Sequence, residues 1–431
     1  MSPRNGTTTV LKGGRVIDPA NAIDGAHDVV IVDGRIDRLT PPAAAPKGAE
    51  VIDVAGKVVC PGFIDIHVHL REPGYEYKET VATGTRAAAA GGFTAVCCMA
   101  NTSPVNDNRS ITDYIRARAR SEGVVRVYPI GAVTRGLEGK ELAELAELAE
   151  AGCVGFSDDG KCVMNAELYR RAMEYTLPFA APVISHAEDH TLSRHGAMHE
   201  GVVSTELGVR GIPAAAEDVM VARDILLAEL TGAHVHIAHL STTGGVRLVR
   251  DAKARGVRVT AEVTPHHLLL TDEAVRTWDP NTKMAPPLRT KRDVEALVEA
   301  LVDGTIDCVA TDHAPHAAAD KEGEFDRSAN GIVGLETALT LLYDRLVRPG
   351  VLPLPTLVAR LSRDPARLLN LPGGSLAVGA AADVTLIDPE TAVTIDPTRF
   401  AGKSRNTPFG GWTAVGRPWK TIVGGKVVWE A

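Results

Sequence analysis

The sequence lacks the features that mark secreted, membrane-spanning and nucleic-acid-binding proteins. Its six cysteines show no Cys-x-x-Cys spacing and most lie in apolar runs, which predicts buried free thiols in a reducing cytoplasm. No run of about 18 apolar residues occurs, and residues 1–14 lack the apolar stretch of a signal peptide, so neither a membrane span nor secretion is expected. The net charge of −8, without a basic aromatic patch, disfavours nucleic acid and anionic membranes as partners.

What the sequence does contain is typical of a globular enzyme. Its 431 residues, 45% apolar and 23% charged, predict one large domain with an appendage. Both ends consist of short stretches rich in Val and Ile, with turns at Asp33-Gly34 and Gly56-Lys57. We interpret these ends, residues 1–60 and 371–431, as one small β-sandwich domain built from both termini. The sequence alone leaves their pairing open.

The middle of the chain, residues 61–370, repeats the order apolar strand, loop, amphipathic helix. Near-continuous apolar strands that alternate with helices predict a parallel sheet covered by helices. Eight such units over about 250 residues favour an α/β fold of the (β/α)8 TIM-barrel type. The predicted strands span residues 61–69, 93–101, 125–133, 153–158, 182–186, 234–240, 257–263 and 307–312. The predicted helices span residues 79–90, 111–121, 166–175, 217–230, 246–255 and 292–302.

One repetitive stretch, residues 141–150, alternates Glu, Leu and Ala. It has the composition of a low-complexity segment. Its leucines recur every third residue among strong helix formers, however, and this spacing favours an outer helix of the barrel.

Polar residues with metal-ligand chemistry follow the predicted strands. His67 and His69 alternate at the end of the first strand and therefore face one side together. Each residue also has an ordinary structural explanation. An isolated His-x-His pair is more often a pair of core histidines, and Asp158-Asp159-Gly160 alone could be a turn. The other histidines could lie in the core or line a loop. The carboxyl ends of barrel strands nevertheless form one active-site face. Because several residues with metal-ligand chemistry occur together at these ends, the sequence predicts a metal site there. The candidates are His67, His69, Asp158 or Asp159, His186, His236 or His239, and Asp312.

Several long motifs resemble those of the amidohydrolase superfamily and, within it, the bacterial type I dihydroorotases. The resemblance runs from about residue 8 to the C-terminus. Its motifs are Pro-Gly-Phe-Ile-Asp-Ile-His-Val-His-Leu-Arg-Glu-Pro-Gly (61–74), Gly-Gly-Phe-Thr (91–94) with Met-Ala-Asn-Thr (99–102), Ala-Thr-Asp-His-Ala-Pro-His (310–316) and Gly-Ile-Val-Gly-Leu-Glu-Thr (331–337).

This resemblance implies a set of metal ligands: His67, His69, Asp159, His186, His239 and Asp312. In hydantoinases and allantoinases of the same superfamily a carboxylated lysine bridges two metals near the fourth strand. Here family spacing assigns the bridging place to Asp159 rather than Asp158, and a carboxylated Lys161 is the competing bridge. The implied cofactor is zinc, one or two ions per subunit, with Asp159 shared in the binuclear case.

The expected reaction is the reversible cyclisation of N-carbamoyl-L-aspartate to dihydroorotate in pyrimidine synthesis. A zinc ion lowers the pKa of its bound water to about 7 and polarises a carbonyl, and Asp312 is the expected catalytic group that takes up and returns the proton. The planar guanidinium of Arg71 suits the substrate carboxylate. The full set of expected substrate contacts is His69, Arg71, Asn101, His316, Asn330 and Gly331.

One departure from the family pattern is Ala285, where relatives carry a substrate-contacting Asn. A lost neutral hydrogen bond is worth roughly 0.5–1.5 kcal/mol, so we expect weaker binding with retained turnover. Two alternatives stay open: another cyclic amidase, such as an allantoinase or dihydropyrimidinase, and a non-catalytic partner of aspartate transcarbamoylase. A cytoplasmic homo-oligomer is the expected state.

Overall fold

The computed structural model describes residues 7–431 and shows an α/β chain. Across these residues, no helix is both long and apolar enough to cross a membrane. The strands are β1 (Thr8–Asp18), β2 (Ile23–Val32), β3 (Arg35–Thr40), β4 (Glu50–Asp53), β5 (Val58–Pro61), β6 (Phe63–Val68), β7 (Phe93–Cys98), β8 (Arg126–Pro129), β9 (Val183–Ser185), β10 (Met198–His199), β11 (Gly211–Ile212), β12 (Val235–Ile237), β13 (Val259–Val263), β14 (Cys308–Val309), β15 (Val384–Thr394), β16 (Thr413–Val423) and β17 (Lys426–Glu430).

The α-helices lie mainly between the central strands. They are α1 (Val81–Ala90), α2 (Arg109–Glu122), α3 (Leu145–Ala151), α4 (Ala166–Thr176), α5 (His190–Ser193), α6 (Val202–Leu207), α7 (Ala215–Thr231), α8 (Thr243–Ala254), α9 (Pro265–Leu269), α10 (Lys291–Asp303), α11 (Ala318–Lys321), α12 (Ala338–Leu342), α13 (Leu354–Leu361) and α14 (Arg363–Leu368). Polar caps fix several starts; the side chains of Thr80 and Thr290, for example, accept hydrogen bonds from the first turns of α1 and α10.

Both ends of the chain contribute to one eight-stranded sheet, which settles the pairing that the sequence left open. Its order is β17-β16-β15-β5-β1-β2-β3, with β4 paired to β1. The antiparallel pairing of β5 with β15, in which Val59 lies opposite Leu386, joins the N-terminal to the C-terminal segment. This sheet has its own apolar core, to which both segments contribute: Leu11, Val16, Val29, Ile31, Ile36, Val54, Val59, Leu376, Ala382, Val384, Leu386 and Ile422. The first six residues of the predicted 1–60 segment lie outside the described part of the chain.

The central strands are parallel, in the order in which they follow along the chain. β6, β7 and β8 form one sheet, and β9, β12, β13 and β14 form another. Isolated parallel bridges link the two sheets, from Gly131 to Phe156, from Phe156 to Val183, and from Val68 to His313. The continuous pairing order brings the carboxyl ends of β6, β9, β12 and β14 to the same side of the fold.

Two apolar layers fix the central strands. Alternate residues such as Val235 and Ile237 of β12 pack outward against the helices. A smaller cluster, with members such as Ile64, Ile184 and Ala310, fills the inner side of the strands. β6 and β7 are buried along their whole length, which explains why their sequences are mostly apolar, with Asp65 and His67 as the charged or titratable exceptions in β6.

Several predicted elements differ in extent from the structure. The strands predicted over residues 125–133, 234–240 and 307–312 are shorter, as β8, β12 and β14. Residues 153–158 were expected to form a strand, but only Phe156 makes bridge pairs there. The helix expected over residues 141–150 begins at Leu145. The segment before it pairs instead with the preceding loop, because the Ala143 amide donates to the Val133 carbonyl at 2.9 Å and the Arg135 amide to the Glu141 carbonyl at 3.0 Å. This pairing keeps the first residues of the Glu-Leu-Ala run extended. All six cysteines are free and five are buried, which confirms the prediction of buried free thiols for all but Cys162.

Candidate metal centre and active site

The ends of the parallel strands bring the six predicted ligands together. His67 lies in β6 and His69 directly after it, while Asp159 follows the Phe156 bridge. The other three follow β9, β12 and β14, as His186, His239 and Asp312. All six side chains are buried.

Four of these residues form a first group. His69 Nε2 lies 3.1 Å from Asp312 Oδ1 and 3.5 Å from Asp159 Oδ2. His67 Nε2 lies 3.5 Å from the same Asp312 oxygen and 3.4 Å from Asp159 Oδ1. The imidazole and carboxylate atoms of this group therefore converge on one small volume, as ligands of a single cation do.

A second group of histidines approaches the same Asp159 carboxylate. His186 Nδ1 lies 2.9 Å from His239 Nε2. Asp159 Oδ1 is 3.6 Å from His186 Nδ1 and 3.5 Å from His239 Nε2. Asp159 is thus the one carboxylate of the six residues that approaches histidines of both groups.

The donor set fits a divalent cation. His67 Nε2 and Asp159 Oδ1 are fully buried and have no hydrogen-bond partner among the described residues. Leaving such polar atoms without a partner costs roughly 1–3 kcal/mol each, unless a ligand satisfies them. Histidine nitrogens and carboxylate oxygens, three or more within 4.8 Å of one another, occur here in two overlapping sets that share His67.

The two competing residues near the fourth strand occupy other places. Asp158 turns away from the histidines, and its Oδ1 accepts hydrogen bonds from the backbone amides of Val133 at 2.8 Å and Thr134 at 3.0 Å. Its Oδ2 accepts from the Thr134 hydroxyl. Lys161 is exposed to solvent. The geometry therefore favours Asp159 over both as the carboxylate shared between the two groups.

Two buried carboxylates near the histidines have displaced pKa values. Burial raises the pKa of Glu262, but the interaction with His67 and hydrogen bonds from His236 and His67 outweigh it and lower the pKa to about 2. Burial also acts upward on the pKa of Asp312, and neighbouring His67 and His69 bring it below its usual range. Both groups are ionised at neutral pH and supply negative charge for a cation.

Backbone strain marks the same strand ends. Arg71, His239 and Asp312 adopt positive φ angles of 62°, 32° and 47°. A side chain in this left-handed region costs about 1–3 kcal/mol and persists where the surroundings fix it, often at functional sites. The strain lets each residue turn its side chain into the mouth of the strands instead of following the pleat.

A cavity of about 500 Å³ opens directly over the ligand cluster. All predicted substrate-contacting residues line it: His69, Arg71, Asn101, His316, Asn330 and Gly331. Ala285 lines it too, so the position that carries Asn in the resembling family faces the cavity here. The walls also include residues that the sequence had not singled out, among them Glu188, His190, Arg194 and His195.

The predicted substrate contacts are held by specific bonds. Arg71 uses its Nε to donate to the Pro315 carbonyl at 3.1 Å. Asn101 lies between cavity and metal cluster, with its Oδ1 2.9 Å from His69 Nδ1 and its Nδ2 3.4 Å from Asp159 Oδ2. His316 Nε2 donates to the Asn330 carbonyl at 2.8 Å, so these two predicted residues form one wall.

Sequence reasoning missed two residues that support this site. Asn406, from the C-terminal segment, accepts from the His316 amide at 3.0 Å and donates to the carbonyls of Ala314 and Gly331. No local pattern could have revealed it, because its partners lie far along the chain. Glu262 contacts His67 at 2.6 Å. An acidic residue inside the apolar strand β13 is a signal that could have drawn attention to it.

Comparisons with known proteins add an independent finding. The family model described as dihydro-orotase-like matches residues 56–244. A protein from Pelotomaculum thermopropionicum named "Dihydroorotase" is 58% identical over 421 residues, 98% of each chain. A protein of the same name from Geobacter metallireducens is 55% identical over 98% of this chain and 99% of its own.

Solved structures agree in fold. L-hydantoinase (dihydropyrimidinase) from Arthrobacter aurescens matches with a TM-score of 0.89 at 25% identity, over 98% of this chain and 96% of that one. Dihydropyrimidinase from Brevibacillus agri matches with a TM-score of 0.87 at 25% identity, over 98% and 95%. The resemblance read from the motifs is confirmed, and sequence identity over nearly the full length shows that the chain belongs to the dihydroorotase family.

Proposed function

We propose that this protein is a zinc-dependent dihydroorotase, which interconverts N-carbamoyl-L-aspartate and dihydroorotate in pyrimidine synthesis. The observation that carries the proposal is the position of Asp159 between two groups of histidines, beneath a cavity that Arg71 lines. Relatives of the same name over nearly the whole chain support the substrate assignment.

The metal proposal assigns each ligand a place. His67, His69, Asp159 and Asp312 would hold one zinc ion, and Asp159, His186 and His239 a second. When bound, zinc supplies Lewis acidity at the scissile carbonyl and lowers the pKa of a water to about 7. Asp159, which approaches both groups, is the proposed bridging ligand.

The remaining roles belong to the protein's own side chains. Asp312, ionised and at the edge of the cavity, is the proposed catalytic group that accepts the proton of the attacking water and delivers it to the leaving ring nitrogen. Arg71 would bind the substrate carboxylate through its two terminal nitrogens, since its Nε already donates to Pro315.

Five other residues would orient the ring of the substrate. His69 and Asn101 face it from the metal side. His316, Asn330 and Gly331 form the opposite wall, where the main chain offers polar groups to the amide atoms of a pyrimidine ring. Holding the carboxylate and the ring at once would place the scissile amide over the metal cluster and exclude a second orientation.

The fold that supports this site is proposed to be a closed (β/α)8 barrel over residues 61–370, with a β-sandwich of residues 1–60 and 371–431. The continuous parallel pairing from β6 through the Phe156 bridge to β14, and the Val68–His313 bridge between its ends, support the barrel. The separate apolar core shared by both termini supports the second domain.

The deciding experiment is a parallel assay of dihydroorotate, hydantoin and allantoin with the zinc-loaded protein. We expect turnover of dihydroorotate and little of the other two, because only dihydroorotate offers a carboxylate to Arg71. Turnover of hydantoin or allantoin without turnover of dihydroorotate would contradict the proposal.

A second candidate is another cyclic amidase, favoured by the structural similarity to hydantoinase and dihydropyrimidinase. The same assay distinguishes the two.

A non-catalytic partner of aspartate transcarbamoylase is tested by adding that enzyme, since a scaffold would show no turnover with or without it. We further propose a cytoplasmic homo-oligomer, which size measurements in solution test.

A further inference from the structure

A file of polar side chains runs along the inner side of β12 and β13, where barrel strands ordinarily carry bulky apolar residues. Val235 and Ile237 of β12, like Val259, Ala261 and Val263 of β13, belong to the outward-facing apolar layer. The alternate residues therefore face inward, and they are His234, His236, Thr260 and Glu262.

Hydrogen bonds connect each member of this file to the next. His234 Nε2 lies 2.8 Å from Thr260 Oγ1, and this hydroxyl lies 2.9 Å from His236 Nδ1. His236 Nε2 lies 3.1 Å from Glu262 Oε2. The other Glu262 oxygen lies 2.6 Å from His67 Nδ1, so the file ends on a residue proposed as a metal ligand.

One assignment of protons satisfies every member of the file. Glu262, as a carboxylate, accepts from His67 Nδ1–H and from His236 Nε2–H. The Thr260 hydroxyl then donates to His236 Nδ1 and accepts from His234 Nε2–H. This assignment leaves the lone pair of His67 on Nε2, the atom that is buried, lacks a partner among the described residues and points at Asp159 and Asp312.

Glu262 also touches a second ligand-bearing strand end. Its Oε1 accepts the backbone amide of His239 at 3.2 Å, at the residue whose backbone is strained to a positive φ. A single carboxylate oxygen thus fixes the ring of His67 and the main chain of His239, one from each proposed group of ligands.

We propose that Glu262 is a positioning residue of the metal centre, and that His236 and Thr260 orient it in turn. Its carboxylate selects the metal-binding tautomer of His67 and holds His239 in place, and its negative charge opposite His67 Nδ1 makes His67 Nε2 a stronger metal ligand. This inference deepens the proposed function and rests on it, because it presupposes that His67 and His239 bind the metal. Carboxylates that orient a ligating histidine typically contribute 10–100-fold to metal affinity.

The variant that tests this is Glu262→Gln. Its carbonyl oxygen can keep the hydrogen bonds from His67 and His239. The amide group would face His236, which the file accommodates by reversing its protons through the Thr260 hydroxyl. Glu262→Gln therefore retains shape and hydrogen bonds but removes the negative charge opposite His67.

A matched control is Glu217→Gln, another buried carboxylate at the same end of the strands. Glu217 accepts hydrogen bonds from Ser241 and Thr242 and from none of the proposed ligands. Thr260→Val is the second test variant, since it leaves Glu262 in place and removes the hydroxyl behind His236. Zinc affinity of each purified protein is measured by competition with a chelator, and thermal unfolding of the metal-free form is measured beside it.

We expect Glu262→Gln to lower zinc affinity by about 10- to 100-fold with the unfolding temperature of the metal-free protein close to that of the wild type. Thr260→Val should lower zinc affinity less, and Glu217→Gln should leave it unchanged. Wild-type affinity in Glu262→Gln, or an equal loss in Glu217→Gln, would overturn the inference.

Two further outcomes separate this inference from the proposed function. A wild-type protein that binds no zinc would overturn both, whereas tight zinc binding by the wild type and by Glu262→Gln would overturn the positioning role alone. Should Glu262→Gln fail to fold, Thr260→Val decides: reduced zinc affinity supports the inference, and unchanged affinity contradicts it.

Discussion

Replacement of Arg71 tests the substrate assignment most sharply. Its Nε is engaged with the Pro315 carbonyl, and within residues 7–431 its two terminal nitrogens have no hydrogen-bond partner. These two nitrogens are available for a carboxylate of the substrate. A hydrogen bond to a charged group contributes roughly 1.5–3 kcal/mol, so the two together contribute roughly 3–6 kcal/mol.

Arg71→Met removes both bonds and should lower kcat/KM for dihydroorotate by roughly 10²- to 10⁴-fold. Arg71→Lys keeps the charge but loses the fork, so a loss of roughly 10- to 100-fold is expected. The control substrate is the neutral amide of dihydroorotate, with zinc content matched between proteins. Because that substrate lacks the carboxylate, its kcat/KM should change little in either variant. Equal losses for both substrates, or none for dihydroorotate, would refute the reasoning.

Three further tests, with four replacements, address separate parts of the account. Asp159→Asn should reduce bound zinc and abolish turnover, whereas Asp158→Asn should chiefly destabilise the fold, because Asp158 holds the loop at Thr134. Metal analysis and thermal unfolding distinguish the two effects. The reverse pattern would assign the shared carboxylate to Asp158. Ala285→Asn should lower KM by about 2- to 10-fold, as one restored hydrogen bond predicts, and an unchanged KM would show that this position does not contact substrate. Burial raises the pKa of Glu336 to about 7, above its ordinary value of 4.5, so its stabilising contribution is complete below pH 4.5 and lost as the pH rises through 7. The unfolding temperature of the wild type should therefore fall relative to that of Glu336→Gln as the pH rises from 4.5 to about 7, and level off above that. Parallel profiles of the two proteins would contradict this.

Much of the fold could be predicted because segments that are buried in the folded protein are rich in apolar residues. β6 and β7 are mostly apolar because both their faces are covered. The terminal strands are separated by turn residues, such as Asp33-Gly34 between β2 and β3. The extent of individual elements was less predictable. The Glu-Leu-Ala run forms helix only from Leu145, because the residues before it pair with a loop that is adjacent in space, and no local propensity contains that information.

The candidate site, like the fold, could be predicted in part. The candidate ligands could be predicted because they lie at or just after the ends of predicted strands, and the carboxyl ends of parallel strands meet. The choice of His239 over His236 came from the family resemblance. Whether Asp158 or Asp159 faces the histidines depends on which carboxylate the Val133 and Thr134 amides capture, a contact visible only in the structure. Asn406 escaped prediction because its role comes entirely from residues distant in the chain, whereas Glu262 left one local signal, an acidic residue inside an apolar strand.

The most direct test of the account is a crystal structure of the zinc-loaded protein, with anomalous diffraction recorded at the zinc absorption edge. The account predicts two anomalous peaks, one on each side of the Asp159 carboxylate, the first within bonding distance of His67, His69 and Asp312 and the second of His186 and His239. Zinc bound elsewhere, or held by Asp158 or Lys161 in place of Asp159, would contradict it.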